Sequence, residues 1–226
     1  VSAIETSYLP IVTAPIEIPA PTRVVPDWYG PAKRLIDVTV ASVGLVLMSP
    51  VLLVAMAGIV IATGAGPIFR QERVGAGGQR FMMWKLRTMV PGAHDLRCEV
   101  LHLNEVDGPV FKVRHDPRVH RFGRFLRRTS IDELPNFVNV LRGEMSIVGP
   151  RPPLPEEVAR YSPRAMRRLS VRPGVTCLWQ ISGRSELSFE QWMDLDSEYL
   201  EHWTPLGDLA IIMRTIPAVI RGVGAH

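Results

Sequence analysis

The sequence predicts an α+β fold, predominantly helical with one small β-hairpin, held at a membrane by an N-terminal re-entrant helix kinked at Ser49-Pro50. Three observations lead there. No charged side chain occurs from Val38 to Phe69. Two strand-like runs, 68–74 and 80–87, flank Gly75-Ala76-Gly77-Gly78, a glycine turn. Leu134, Phe137, Val138 and Leu141 recur at i, i+3, i+4 and i+7, the spacing of one buried helix face. The 226 residues suffice for one good-sized domain or two small ones. A net charge of +4, with arginine well ahead of lysine, favours anionic partners. Two cysteines, Cys98 and Cys177, are too few for a disulfide framework and suit a reducing compartment.

Residues 1–32 read as an extended arm or linker. Prolines at 10, 15, 19, 21, 26 and 31 punctuate them, and no helical period runs through them. The arm either follows an upstream domain or begins a short form of the protein. Residues 33–64 form the apolar segment. Ser49-Pro50 divides it, and proline removes a backbone hydrogen bond there. At 1.5 Å per residue each half is about 18–21 Å long, short of a hydrocarbon core of about 30 Å. Lys33 and Arg34 precede the segment and Arg70 and Arg73 follow it, so the positive-inside bias draws both ends to the cytoplasmic side. A helix that enters, bends and returns satisfies both facts. A kinked single span and a buried hairpin of a soluble protein are the other readings.

Residues 65–226 make up the remaining domain. Lys85 and Arg87 alternate onto one face of the second strand, where they can grip phosphate or simply be solvated. A helix over 92–103 would set His94, Cys98 and His102 on one face, at metal-ligand spacing with no evident fourth ligand. Arginines at 114, 118, 121, 124, 127 and 128 then lead into Thr129-Ser130-Ile131-Asp132-Glu133-Leu134-Pro135-Asn136. Ser130 and Glu133 have capping-box spacing, so a helix is expected from about Ile131, with Gly143 as its stop. Its first turn favours ionised Asp132 and Glu133, and such acids often do nothing but cap. Arginine is the residue for multi-donor recognition of phosphate. A divalent cation and a phosphorylated substrate together would use both sets: carboxylates for Mg²⁺, arginines for phosphate oxygens. Ser146-Ile147-Val148-Gly149-Pro150-Arg151-Pro152-Pro153 presents one arginine between prolines, either a plain proline-rich loop or, with the arginine fixed close to the acids, a fit for a diphosphate. Arg164, Arg167, Arg168 and Arg172 add a second basic stretch. Residues 209–220 are apolar with Arg214 and Arg221 at the polar edges, a segment for the core or the membrane interface.

These residues resemble the monotopic polyprenyl-phosphate phosphoglycosyl transferases, the bacterial sugar transferases. The resemblance rests on Lys33-Arg34-x-x-Asp37, Ser49-Pro50, Gly66-Pro67-x-Phe69-x-Gln71-x-Arg73-x-Gly75, Lys85-Leu86-Arg87-Thr88-Met89 and Gly108-Pro109-Val110-Phe111-Lys112. It continues through Asp116-Pro117-Arg118, Gly123-Arg124-Phe125-Leu126-Arg127, the Asp132-Glu133 stretch, Gly149-Pro150-Arg151-Pro152 and Arg172-Pro173-Gly174-Val175-Thr176. Leu86, Asn136 and Cys177-Leu178 depart mildly from the family pattern. The resemblance implies transfer of a phosphosugar from a UDP-sugar to polyprenyl (undecaprenyl) phosphate, with release of UMP, to initiate a surface glycan such as an exopolysaccharide. It implies that Asp132 is the nucleophile of a covalent intermediate and that Glu133 holds Mg²⁺. Arg127, Arg151, Lys85 and Arg87 would bind phosphate, with Pro150 and Pro152 near the nucleotide. Ser49 and Pro50 would form the hinge of a re-entrant anchor in the bacterial inner membrane, with the catalytic domain and C-terminal interfacial helices on the cytoplasmic face. The donor sugar (glucose, galactose or an acetamido sugar) stays open, and a homodimer is allowed.

Two other functions compete. One is a glycosyltransferase that releases UDP; the other is a non-enzymatic scaffold that binds anionic lipid. Nucleic acid is not an expected partner, since no recognition motif accompanies the basic charge.

Overall fold

The computed structural model describes residues 18–19, 26–27, 29–106, 108–183 and 187–221. Most of the expected arm at 1–32 lies outside them. Helix α1 spans Tyr29–Thr63, so it begins four residues before the expected boundary. It is followed by the hairpin β1 (Ile68–Val74) and β2 (Arg80–Leu86), then by α2 (Arg97–Val100), α3 (Arg121–Arg128) and α4 (Asn136–Arg142). Next come β3 (Ser146–Val148), α5 (Pro155–Val158), α6 (Pro163–Met166), β4 (Gly174–Thr176), α7 (Leu178–Ile181), α8 (Phe189–His202) and α9 (Pro205–Arg221). The expected class, mostly helical with a small antiparallel hairpin, is the one observed. The pattern gave no sign of β3 and β4, a short parallel pair that places Ser146 beside Gly174 and Val148 beside Thr176. A Cβ on Gly174 would lie 2.1 Å from the Gly149 nitrogen, so the strands close only because that side chain is absent.

Helix α1 continues through Pro50. Pro50 has no N–H to offer the carbonyl of Val46, four residues back. The neighbouring Ser49 hydroxyl donates to that carbonyl at 2.8 Å. Ser49-Pro50 thus removes one backbone bond and replaces it with a side-chain bond. In an apolar surrounding this matters, because an unsatisfied carbonyl there costs several kcal/mol.

Both arms of α1 pack on the rest of the chain. In the first arm Ala41 joins a core with Phe81, Val140, Ile147, Val148, Tyr199 and Ile211, and Gly44 lies against the Phe137 ring. In the second, Ala55 and Ile59 pack with Leu86 and Leu126, and Gly58 lies against Phe122. Between the arms, Val46, Leu47, Val51, Leu53 and Val54 are exposed.

The base of α1 is bolted down by polar contacts. The Lys33 ammonium donates to the Val148 carbonyl at 3.0 Å and to Asp208 Oδ2 at 2.5 Å, and the Tyr199 hydroxyl donates to Asp208 Oδ1 at 2.9 Å. Arg34 donates to the Val140 and Leu141 carbonyls at the end of α4. Asp37 accepts from the Ser146 hydroxyl and the Ile147 N–H. Of the flanking cations read as a topological signal, Lys33, Arg34 and Arg73 are therefore engaged inside the protein, while Arg70 stacks on Trp84.

Three local expectations are corrected. The helix over 92–103 is replaced by turns, the short α2 and a tight turn over Leu101–Leu103. Too few apolar side chains there find a core to sustain a helix. His94, Cys98 and His102 are all exposed and share no helical face, and no metal-ligating cluster occurs among the described residues. The capping box does not form: Ser130 is left-handed (φ 55°) and caps nothing. Ile131–Glu133 is a single tight turn, and α4 starts only at Asn136. Pro135 explains this, because inside a helix its ring would clash with the Ile131 carbonyl. The buried face of α4 is also rotated. Asn136, Asn139 and Val140 are buried and Leu141 is exposed, because the Asn139 side chain bonds the β2 backbone at Met82 and Trp84. Gly143 closes the helix at φ 80°, as expected.

Candidate active site

The hairpin turns Gln71, Arg73, Phe81, Met83 and Lys85 to one face, as the register pairs Gln71 with Met83 and Arg73 with Phe81. Lys85 meets Glu133 across this face at 2.6 Å. The pair is partly open to solvent, so it holds Glu133 only weakly and can be exchanged for a ligand. Glu133 faces Lys85 instead of capping a helix.

Asp132 is buried at 7% exposure. Burial and then the neighbouring Glu133 raise its pKa to about 6, against the opposing pull of Lys85 and Arg127. A helix dipole was expected to favour the ionised form of this acid. A three-residue turn has little dipole, and burial wins. Ser130 is the sole non-glycine residue with positive φ among the described residues. It sits two positions before Asp132, a strained conformation of the kind that gathers at functional sites.

Arg127 is set by α3. Gly123 lets α3 press against the hairpin exit, since a Cβ there would fall 2.1 Å from the Thr88 carbonyl oxygen. The Arg127 Nε donates to the Thr88 hydroxyl at 3.0 Å. Burial lowers the Arg127 pKa, while Asp132 and Asp116 act to raise it.

Arg151 is held by its backbone. Pro150, Pro152 and Pro153 have no N–H, so this loop can be fixed mainly through its carbonyls. Each of four consecutive carbonyls has its own donor. Gly174 N–H reaches Pro150 at 2.9 Å, Arg168 reaches Arg151 at 3.2 Å, Arg73 reaches Pro152 at 2.9 Å, and Val74 N–H reaches Pro153 at 3.0 Å. The Arg151 guanidinium has no ion-pair partner among the described residues and remains available for an anion.

Arg73 and Arg168 brace the candidate site through the Arg151 loop, and sequence reasoning did not single them out as site residues. Arg73 is buried, and burial followed by repulsion from Arg151 lowers its pKa to about 10. It also feels Glu133, which ties the Arg151 loop to the acid pair electrostatically. Its place on the inward face of β1, in register with buried Phe81, was the available signal. Arg168 contacts Asp196 at 2.7 Å as an ion pair in which the Asp196 Oδ2 accepts no aligned hydrogen bond. Burial raises the Asp196 pKa to about 6, and Arg168 only partly opposes it. The Arg87 Nε donates to the Gly66 carbonyl at the hairpin entrance. Asp132, Glu133, Lys85 and Arg127 are brought together, Arg151 is joined to them through Arg73, and Arg87 contacts neither acid.

Two adjacent carboxylates suit Mg²⁺, which binds through one or two carboxylates and completes its shell with water and substrate phosphate. Buried acid, flanking cations and a pinned arginine can together bind and attack a phosphorylated group.

The comparisons agree with this geometry. The bacterial sugar transferase family matches residues 28–222. The chain is similar to the galactosyl transferase CpsE of Streptococcus agalactiae, 42% identical over 195 residues, which are 86% of this chain and 43% of that protein. It is 39% identical over 218 residues to the exopolysaccharide production protein ExoY of Rhizobium meliloti, covering 95% of this chain and 96% of that protein. It is 37% identical over 198 residues to the undecaprenyl-phosphate galactose phosphotransferase of Salmonella typhimurium, covering 86% and 41%. The chain thus spans about two fifths of the first and third relatives and nearly all of the second. The match covers both arms of α1, the hairpin, the acid pair and the Arg151 loop, and the chain belongs to the bacterial sugar transferase family.

Proposed function

We propose that this protein moves a phosphosugar from a UDP-sugar to polyprenyl phosphate and so initiates exopolysaccharide or another surface glycan. The observation that carries the reading is a buried Asp132, its pKa raised to about 6, beside Glu133, Lys85 and Arg127. The Salmonella relative named as an undecaprenyl-phosphate galactose phosphotransferase supports the reaction class.

In the first step an Asp132 carboxylate oxygen attacks the phosphorus that bears the sugar. The bond from that phosphorus to the bridging oxygen breaks, and UMP leaves with the electron pair. The phosphosugar is then held as an acyl phosphate. In the second step a phosphate oxygen of the polyprenyl phosphate attacks the same phosphorus, and the Asp132 carboxylate leaves unchanged. One hard displacement becomes two easier ones. Lys85, Arg127 and Arg151 bind phosphate oxygens and offset their charge, most of what phosphoryl transfer asks of a protein. Glu133 would hold Mg²⁺, which supplies further charge neutralisation when bound. Lys85, which contacts Glu133 at 2.6 Å, would then be available to phosphate.

The same site needs a membrane surface, because its two substrates are a soluble nucleotide and a lipid. The exposed apolar middle of α1, around Pro50, suits insertion, and the Ser49 hydroxyl satisfies the carbonyl that Pro50 abandons. Both arms of α1 pack on one domain, as a re-entrant anchor on the cytoplasmic face of the inner membrane requires. Helix α9, with exposed Leu206, Leu209, Met213 and Ile216, would lie along the interface.

The test is product identity across a panel of UDP-glucose, UDP-galactose and UDP-acetamido sugars with polyprenyl phosphate. UMP release with lipid-linked phosphosugar is expected. UDP release would make the protein a glycosyltransferase, and unchanged turnover in Asp132→Asn, checked for deamidation, would exclude the covalent route.

A further inference from the structure

Helix α3 has three faces, and the proposed reaction leaves the outermost of them unused. Phe122 and Leu126 turn inward onto Ala55, Gly58 and Ile59 of α1. Arg127 turns to Thr88 and the acid pair. Arg121, Arg124, Phe125 and Arg128 fall on a third side, at i, i+3, i+4 and i+7, and all four are exposed. Phe125 is 52% exposed and stacks on Phe122 at 6.1 Å, so an apolar ring bridges the arginines and the apolar anchor. No carboxylate pairs with these three arginines among the described residues; Arg124 reaches only the Val119 carbonyl.

The level of this face along the anchor can be judged from α1. The first arm last meets the domain near Gly44 on Phe137, and the second meets it again from Ala55, which packs with Leu86 and Leu126. From Pro50, these points are about 9 and 8 Å away at 1.5 Å per residue. Half of a hydrocarbon core is about 15 Å, so a bend inserted in one leaflet leaves α3 at the headgroup layer.

We propose that the outward face of α3 docks on anionic phospholipid headgroups beside the inserted bend. Arg121, Arg124 and Arg128 meet lipid phosphates, and Phe125 enters the acyl boundary between them and α1. This contact fixes the tilt of the domain and so the height of Asp132, at the far end of the same segment, above the bilayer. The proposal rests on the membrane reading above, which has its own readout.

The experiment is flotation of the full chain on vesicles of phosphatidylcholine alone and of phosphatidylcholine with about one third phosphatidylglycerol, compared with an Arg121→Gln/Arg124→Gln/Arg128→Gln variant. Failure of the wild type to float on either vesicle would sink the membrane reading itself. The wild type is expected to partition about tenfold or more better onto anionic vesicles, given the strength of single basic residues near such a surface. That preference should shrink as salt rises from about 0.1 to about 0.5 M. The glutamine variant should float on neutral vesicles like the wild type and lose most of the preference. The matching lysine variant should keep it, which separates charge from folding. Equal preference in the wild type and the glutamine variant would overturn the proposal. So would a glutamine variant that keeps its preference but needs several-fold more polyprenyl phosphate for transfer, because the arginines would then serve the acceptor.

Discussion

Two charged clusters in this protein use the same residue types to opposite ends. At the base of α1, Lys33, Arg34 and Asp37 meet Asp208, Tyr199, Ser146 and the end of α4, and the cations find fixed acceptors. At the hairpin, Asp132 is buried with a raised pKa, Glu133 is held by a half-open pair, and Arg151 has no ion-pair partner among the described residues. The first cluster is closed and holds α1 to the domain. The second is left open toward a ligand, with cations that a phosphate could engage. What separates scaffold from site is therefore the state of satisfaction of the charges, more than their identity or number.

The largest expected break is in the open cluster. Asp132→Asn should lower transfer by roughly a thousandfold or more, as loss of a covalent nucleophile does, in a radiolabelled-lipid assay. In the closed cluster, Lys33→Met should leave transfer chemistry alone and strike stability. It strands buried Asp208 without its cation, at a cost of about 3–5 kcal/mol for a broken buried pair. Thermal unfolding in detergent measures it, and an unchanged transition would show that the base of α1 is not held by this pair.

Ser49→Ala tests the anchor between the two clusters. It removes the donor to the Val46 carbonyl, and if this outward-facing stretch sits in lipid as proposed, an acceptor left unsatisfied there costs about 1–3 kcal/mol. The fraction of protein recovered in membranes should fall, while Ser49→Thr restores it. A smaller effect is expected where the open cluster is braced. Arg73→Lys and Arg168→Lys loosen the Arg151 loop, so the KM for the UDP-sugar should rise several-fold, about 1 kcal/mol for a charged hydrogen bond weakened rather than lost. The kcat at saturating donor should change less, and equal loss in both would mean that the loop acts in the transition state alone.

Much of this contrast was legible in the sequence, and the illegible part has a physical cause. The charge-free run, Ser49-Pro50 and the glycine turn are local signals, and α1 and the hairpin follow them closely. Asp132, Glu133, Lys85 and Arg127 were named from motifs and do come together. The closure of the basic flank was hidden, because Lys33 lies 175 positions from Asp208 and no periodicity reports such a contact. The same holds for the Arg151 loop: its prolines announced rigidity, but the four donors come from β1, β4 and the turn that carries Arg168. The capping-box reading failed because Pro135 forbids the helix that the spacing invited. The β3–β4 pair was missed because three-residue strands leave no pattern.

The pH dependence of kcat/KM sharpens the same point. The proposed attack by Asp132 needs its ionised form, and burial raises its pKa to about 6. The rate should be flat above that value and fall about tenfold per pH unit below it. Bound cation favours the ionised form, so kcat should begin to fall at a lower pH than kcat/KM.

The central claim is a covalent bond at Asp132, and peptide mass spectrometry tests it most directly. The protein is incubated with Mg²⁺ and each UDP-sugar in the absence of lipid acceptor, then quenched and digested. A phosphosugar adduct on the peptide that contains Asp132, with UMP released in equal amount, is the predicted result. UMP formation and full lipid transfer in a protein that never carries such an adduct, even on rapid quenching, would contradict the account.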